Sequence, residues 1–362
     1  MKIAIGSKLF EGAWGGGNLF VKSFKNYLQE KKIKVTHYLN ESDIDIILLT
    51  EPRFESSSST ITLLEAKLYK RFVNNKVKII HRINECDERK NTNYVNKKMT
   101  HISKNSDYTI FVSHWLKTLY EEFGLIKHNS KVILSGSDGK IFNTQNKKVW
   151  DGKSKLKIIT HHWGNNWNKG FDVYSRIDIL LDNSKFNEKF SFTYIGNLPK
   201  NFFFKNVIYK KPLISEELSK ELKSHDLYIT GSLNEPSGNH QIEASLCGLP
   251  VMYINSGGIP DYQNNFGTEF NLNNLEIILE DVYKNYSKYY SKNLNFPFDA
   301  KLMNSEYFKL IESIYEKSTH IKKYYIYLLF YRFLFRLKII ELFKLFFSKI
   351  NYKLNKYILK NI

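Results

Sequence analysis

Short apolar, β-branched runs alternate with longer amphipathic stretches in the first part of the chain. Residues 2–5, 34–38, 45–50, 77–82, 108–113 and 131–134 read as short buried strands. Residues 19–31, 60–73 and 114–123, between them, place apolar side chains at helical spacing. Strand, helix, strand, helix predicts a parallel sheet covered by helices on both faces.

The pattern restarts after a polar, glycine-bearing stretch at 150–155. A second strand set is predicted at 156–160, 190–195, 207–209, 227–230 and 250–254, with helices at 171–181, 216–224 and 239–247. There is no short-period repeat. The expected fold class is α/β: two doubly wound domains, 1–150 and 151–318, facing across a cleft. Ligands bind such folds at the carboxyl ends of the strands.

The last segment, 319–362, breaks this grammar. Residues 324–347 are dense in aromatic and aliphatic side chains, yet carry Arg332, Arg336, Lys338, Glu341 and Lys344. A membrane span wants about 20 apolar residues with few charges, so no span is expected. On a helix, Lys338, Lys349, Lys353, Lys356 and Lys360 fall within about 60° of one another. Arg332 and Arg336 lie off that stripe. The segment reads as a basic amphipathic helix at a membrane surface, its aromatics in the headgroup layer and its lysines on anionic lipid. A helix packed back across the protein, or one that binds a partner, fits the same pattern.

Composition narrows the classes. At 362 residues, 42% hydrophobic and 25% charged, the chain is globular and long enough for two cores. Its net charge is +18. Segment 319–362 holds ten basic residues and one acid, which is half of that excess. Nucleic-acid proteins lean on arginine forks; only seven arginines occur here, and no nucleic-acid partner is expected. Cys86 and Cys247 form no CxxC pair, so neither a zinc site nor a disulfide framework is implied. The first residues lack the long apolar core of a signal peptide, and a cytoplasmic location is expected.

The most informative stretch is 226–262, DLYITGSLNEPSGNHQIEASLCGLPVMYINSGGIPDY. A strand at 227–230 leads into a loop with Glu235, Pro236, Ser237 and Gly238. Asn239 is placed to cap the next helix, Gly248 to end it and Pro250 to open the following strand. A helix start behind a glycine-bearing loop offers free N–H groups and a positive dipole end to phosphate. Glu235 lies in the loop. Glu243 lies one turn into the helix, where a carboxylate can accept hydrogen bonds from a ribose diol.

This stretch resembles the donor-binding signature of the retaining glycosyltransferases of family four, whose two Rossmann-like domains form the B-type glycosyltransferase fold. The matching residues are Glu235-Pro236-Ser237-Gly238, Glu243-Ala244, Cys247-Gly248-Leu249-Pro250-Val251 and Gly257-Gly258-Ile259-Pro260, with Ser237 where the family usually has Phe. Gly15, Gly16 and Gly17 resemble the glycine loop beside the donor phosphates. Ser135-Gly136-Ser137-Asp138 with Phe142 resembles the element that closes the first domain, with Ser135 in place of Asn. Lys169-Gly170 resembles the family's R-x4-K-G element, whose Lys neutralises the donor diphosphate. Gly164 stands where that element has Arg. Lys169 then carries the phosphate alone, or another group supplies the second charge. The resemblance covers roughly 1–317.

The resemblance implies a sugar transfer from a nucleotide-diphosphate sugar to a lipid-linked or saccharide acceptor, with retention. It assigns Gly15, Gly16, Gly17, Lys169, Gly238, Asn239 and Glu243 to the donor, and Glu235 and His81 to the reacting sugar, His81 from the acceptor side. No metal or other cofactor is expected; Asp43-Ile44-Asp45 leads straight into a strand and reads as its flank. His161 and His162 adjoin on an extended strand, whose side chains alternate, so at most one faces the cleft. The tail would hold the enzyme on the inner face of the membrane, for surface polysaccharide or glycolipid assembly. Two alternatives share these features: a sugar-nucleotide epimerase on the same fold, and a non-catalytic binding module.

Overall fold

The structure, a computed structural model, describes residues 1–12, 15–126 and 129–315. The membrane-surface reading of 319–362 falls outside the described residues. Two six-stranded sheets form, and every strand pair is parallel.

The first sheet holds β1 (Lys2–Ile5), β2 (Lys34–Thr36), β3 (Ile46–Leu49), β4 (Lys78–Ile83), β5 (Tyr108–Phe111) and β6 (Ser130–Val132), in the order β2-β1-β3-β4-β5-β6. Its helices are α1 (Gly16–Glu30), α2 (Leu63–Phe72), α3 (Asp87–Lys90), α4 (Val95–Lys104) and α5 (His114–Glu122). β3 reads Ile-Ile-Leu-Leu and is wholly buried, as expected of a strand with helices on both sides. Asp43 and Asp45 do flank it. Asp45 accepts the Lys2 backbone N–H at 2.8 Å, and Asp43 pairs with the Lys2 side chain.

The second sheet holds β7 (Leu156–His162), β8 (Phe190–Gly196), β9 (Ile208–Lys210), β10 (Leu227–Thr230), β11 (Val251–Ile254) and β12 (Thr268–Phe270), in the order β12-β11-β10-β7-β8-β9. Around it lie α6 (Phe171–Leu180), α7 (Ser184–Lys189), α8 (Ser215–Lys223), α9 (Asn239–Leu246), α10 (Pro260–Gln263), α11 (Leu275–Lys284) and α12 (Tyr286–Asn293). Strand order reverses between β1 and β3 in one sheet and between β7 and β10 in the other. Those reversals open crevices at the carboxyl ends of the strands.

The last described helix, α13 (Ala300–Ile314), departs from the expected division at 151–318. It crosses back to the first domain. Met303, Tyr307, Leu310 and Ile311 pack with Ile3, Ile5, Phe20, Phe24 and Leu28 in one core. The Tyr307 ring lies 4.8 Å from that of Phe20 and 5.6 Å from that of Phe24. An amphipathic helix needs an apolar surface to cover its stripe, and α1 with the first sheet provides it.

Candidate functional site

The loop after β10 turns into α9 through Gly238, which takes a left-handed conformation at φ +69°. Gly238 itself is the N-cap, and Asn239 is the first helical residue. Asn239 therefore does not cap the helix as its position suggested; no side chain does, and the first amides of α9 stay open. Helix α1 begins in the same way, with Gly15 at its N-cap and no side-chain cap. The two helix starts face each other. A Cβ on Gly16 would lie 3.3 Å from the Asn239 side-chain amide. Two positive dipole ends, one from each domain, thus converge on one place.

A charged cluster sits beside them. Lys169 ends a short 3-10 turn after β7, and Glu235 lies in the loop before α9. Both are buried, and the Lys169 ammonium donates to Glu235 Oε1. Arg89, on α3 of the first domain, places Nε 3.4 Å from Glu235 Oε2. Burial alone would raise the Glu235 carboxyl; the charges of Lys169 and then Arg89 outweigh it and pull it down to about 2.

Glu243 accepts from two sides. His161 Nε2 lies 2.8 Å from Oε2, and Ser137 Oγ donates to Oε1 at 3.4 Å. Ser137 belongs to the element that links the domains. His162 turns to the other face of β7, where its Nε2 meets Tyr174 Oη at 2.5 Å. The alternation expected of the histidine doublet is seen in these bonds. Yet His240, in the first turn of α9, comes close to both rings, with centroids 6.3 Å from His161 and 4.5 Å from His162. His240 Nδ1 meets Tyr228 Oη at 3.2 Å, while its Nε2 is buried without a hydrogen-bond partner. Nδ1 of His161 and Nδ1 of His162 are also unpartnered. Burial pushes His240 down to about 3 and holds His162 well below the ordinary range. Neutral imidazoles with spare nitrogens can donate to or accept from a bound molecule.

The glycine loop before α10 supports Glu235. Gly258 N donates to the Glu235 carbonyl at 2.7 Å. A Cβ on Gly258 would lie 2.3 Å from the Pro236 carbonyl oxygen, so only glycine allows the contact. Tyr262 then ties this loop to the first domain, donating to the Val112 carbonyl at 2.7 Å and accepting from Ser135 N at 2.8 Å.

The structure thus brings together Gly16, Lys169, Glu235, Gly238, Asn239 and Glu243, with Gly15 and Gly17 at the start of α1. His81 lies apart from this group, in the first sheet. His81 is wholly buried on β4, with Nδ1 2.6 Å from Ser103 Oγ of α4. Arg89, Ser137 and His240 join the site without having been singled out for it. Among the described residues, no group of three or more His, Cys, Asp or Glu is placed to hold a metal ion.

The sequence matches no family model and no curated protein. Solved structures do match. HepE of Anabaena, in complex with UDP-glucose, superposes with a TM-score of 0.64 at 14% identity, over 86% of this chain and 100% of that one. Sucrose-phosphate synthase from Thermosynechococcus elongatus gives 0.60 at 12% identity, over 86% and 98%. The catalytic domain of starch synthase IV from Arabidopsis thaliana, bound to ADP and acarbose, gives 0.60 at 13%, over 86% and 99%. The chain has the B-type glycosyltransferase fold. In these terms the B-type cleft is lined here by the open ends of α1 and α9 and by the cluster around Glu235.

Proposed function

We propose that the protein is a retaining glycosyltransferase that moves a sugar from a nucleotide-diphosphate sugar to an acceptor. The observation that carries this reading is the meeting of two uncapped helix ends beside buried Lys169, Glu235 and Glu243 on the B-type fold. The donor diphosphate would lie on the amides of α1 and α9, next to Lys169. Glu243, oriented by His161 and Ser137, would accept hydrogen bonds from the ribose. Glu235 would contact the donor sugar. As the bond from the anomeric carbon to the β-phosphate oxygen breaks, negative charge gathers on the diphosphate, where fixed dipoles and Lys169 stabilise it. A closed cleft would exclude water and limit hydrolysis of the donor. The binding of UDP-glucose by HepE and of ADP by starch synthase IV supports a nucleotide in this cleft.

The acceptor we propose is a lipid-linked or saccharide intermediate of surface polysaccharide assembly, reached at the inner membrane face through 319–362. Among the described residues no helix is long and apolar enough to cross a membrane. His81 is assigned to the acceptor side.

The test is release of free nucleoside diphosphate from UDP-, GDP-, ADP- and dTDP-sugars, with and without a membrane lipid extract. Acceptor-dependent release, lost in Glu235→Ala, supports transfer. Conversion of the donor sugar to its epimer would favour the epimerase, and binding without turnover a non-catalytic module.

A further inference from the structure

Lys169 has Gly164, not a basic residue, five positions upstream. A Cβ there would lie 3.1 Å from Lys169 Cε, so Gly164 gives the lysine room rather than a companion charge. A basic residue of the first domain does reach the cluster, with Arg89 Nε 3.4 Å from Glu235 Oε2. Arg89 is in the short helix that follows β4. Its carbonyl accepts from Asn168 Nδ2 at 3.4 Å, and the Glu88 carbonyl accepts from Asn234 Nδ2 at 3.4 Å. Both donors belong to the second domain and immediately precede Lys169 and Glu235 in sequence. The main chain around Arg89 is therefore tied to the two loops that carry the charged cluster.

The guanidinium is only partly used. Nη1 donates to Glu85 at 3.3 Å, but Lys90 Nζ serves the same carboxylate at 3.0 Å. Nε is buried and donates no hydrogen bond, although it lies 3.4 Å from Glu235 Oε2. Arg89 thus shares Glu85 with Lys90 and shares Glu235 with Lys169. Burial keeps His162 and His240, beside this cluster, neutral. An unused guanidinium N–H, a buried ammonium and two open helix ends at one place suit an anion with several charges.

We propose that Arg89 binds the donor diphosphate together with Lys169, so that the site is complete only when the first domain delivers this guanidinium. The inference rests on the donor reading above. A planar fork matches phosphate oxygens in a way a lysine point charge does not. Once the diphosphate engages both cations, the Glu235 carboxylate is released from them toward the sugar.

The experiment compares the diphosphate, monophosphate and nucleoside forms of uridine, guanosine, adenosine and thymidine by calorimetry on the full chain. For the base that binds tightest, Arg89→Gln should weaken the diphosphate by about tenfold or more while leaving the nucleoside unchanged. Arg89→Lys, which keeps the charge and serves if the Gln variant does not fold, should restore part of the loss. Equal weakening of all three forms would mean a structural role, and an unchanged diphosphate would mean no role; either overturns the inference alone. If no nucleotide binds the wild type, the donor reading falls with it.

Discussion

Gly16 and Asn239 begin two helices in different domains, and a side chain at Gly16 would crowd the Asn239 amide. A Cβ at Gly16 would stand 3.3 Å from all three terminal atoms of the Asn239 side chain. Gly16→Val should therefore force the ends of α1 and α9 apart. We expect nucleotide affinity to fall about tenfold or more, since amides placed for one anion no longer converge. The melting temperature should move little, because the glycine sits at a helix start and not in a core. Titration of the nucleotide alongside a melting curve checks both.

Glu235 holds buried Lys169 and partly buried Arg89, so its removal acts on stability as well as on chemistry. Glu235→Gln should cost on the order of 3 kcal/mol, the usual penalty for stranding a buried partner. It should lower transfer by roughly a hundredfold. Adding Lys169→Met should recover part of the stability, by removing one stranded charge, and none of the activity. Urea denaturation of the two variants against wild type measures this; a double variant no more stable than the single one would contradict the pairing.

Much of this arrangement was legible in the sequence. The two strand sets, the loop carrying Glu235, and Glu243 one turn into α9 follow from local patterns of apolar runs, glycines and prolines. Arg89 was not legible. It sits in a four-residue helix, too short to show a period, and meets Glu235 only because the chain folds across the cleft. The crossing of α13 was hidden for a related reason. Its spacing of Met303, Tyr307, Leu310 and Ile311 declares an apolar face but not which sheet will cover it. The cap at α9 was misplaced by one residue: Gly238 takes the N-cap place in a left-handed turn and leaves the first amides without a side-chain acceptor.

Acid should destabilise the protein in a defined order. Burial lowers His240 from 6.5 to about 3 and His225 from 6.5 to about 4. The folded state keeps both neutral, whereas the unfolded chain takes up protons near 6.5. Their contribution is therefore complete above about pH 6.5 and shrinks as pH falls toward 4. Glu235, lowered from 4.5 to about 2, acts in the same direction at lower pH: its contribution is present above 4.5 and lost on the way to 2. His240→Asn should flatten the stability curve between pH 6 and 4 by up to about 1.4 kcal/mol per pH unit. Denaturation midpoints across that range give the slope directly.

Removing 319–362 should abolish binding to vesicles that contain anionic lipid and leave the melting of the remaining protein nearly unchanged. Binding by the full chain should weaken with added salt, since lysine contacts to lipid headgroups are screened within about 8 Å at physiological ionic strength. Vesicle co-sedimentation of the two proteins decides it; undiminished binding after truncation would place the membrane contact elsewhere.

A nucleotide-diphosphate sugar should bind between α1 and α9 with its ribose on Glu243. Thermal melting of the purified chain with UDP, GDP, ADP, dTDP and their sugar conjugates tests it most directly, with Glu243→Ala as the control. One base should stabilise the protein, by about 2.7 kcal/mol at a hundredfold excess over its Kd, and the effect should be lost in the variant. Stabilisation by none of them, or one that survives unchanged in Glu243→Ala, would contradict it.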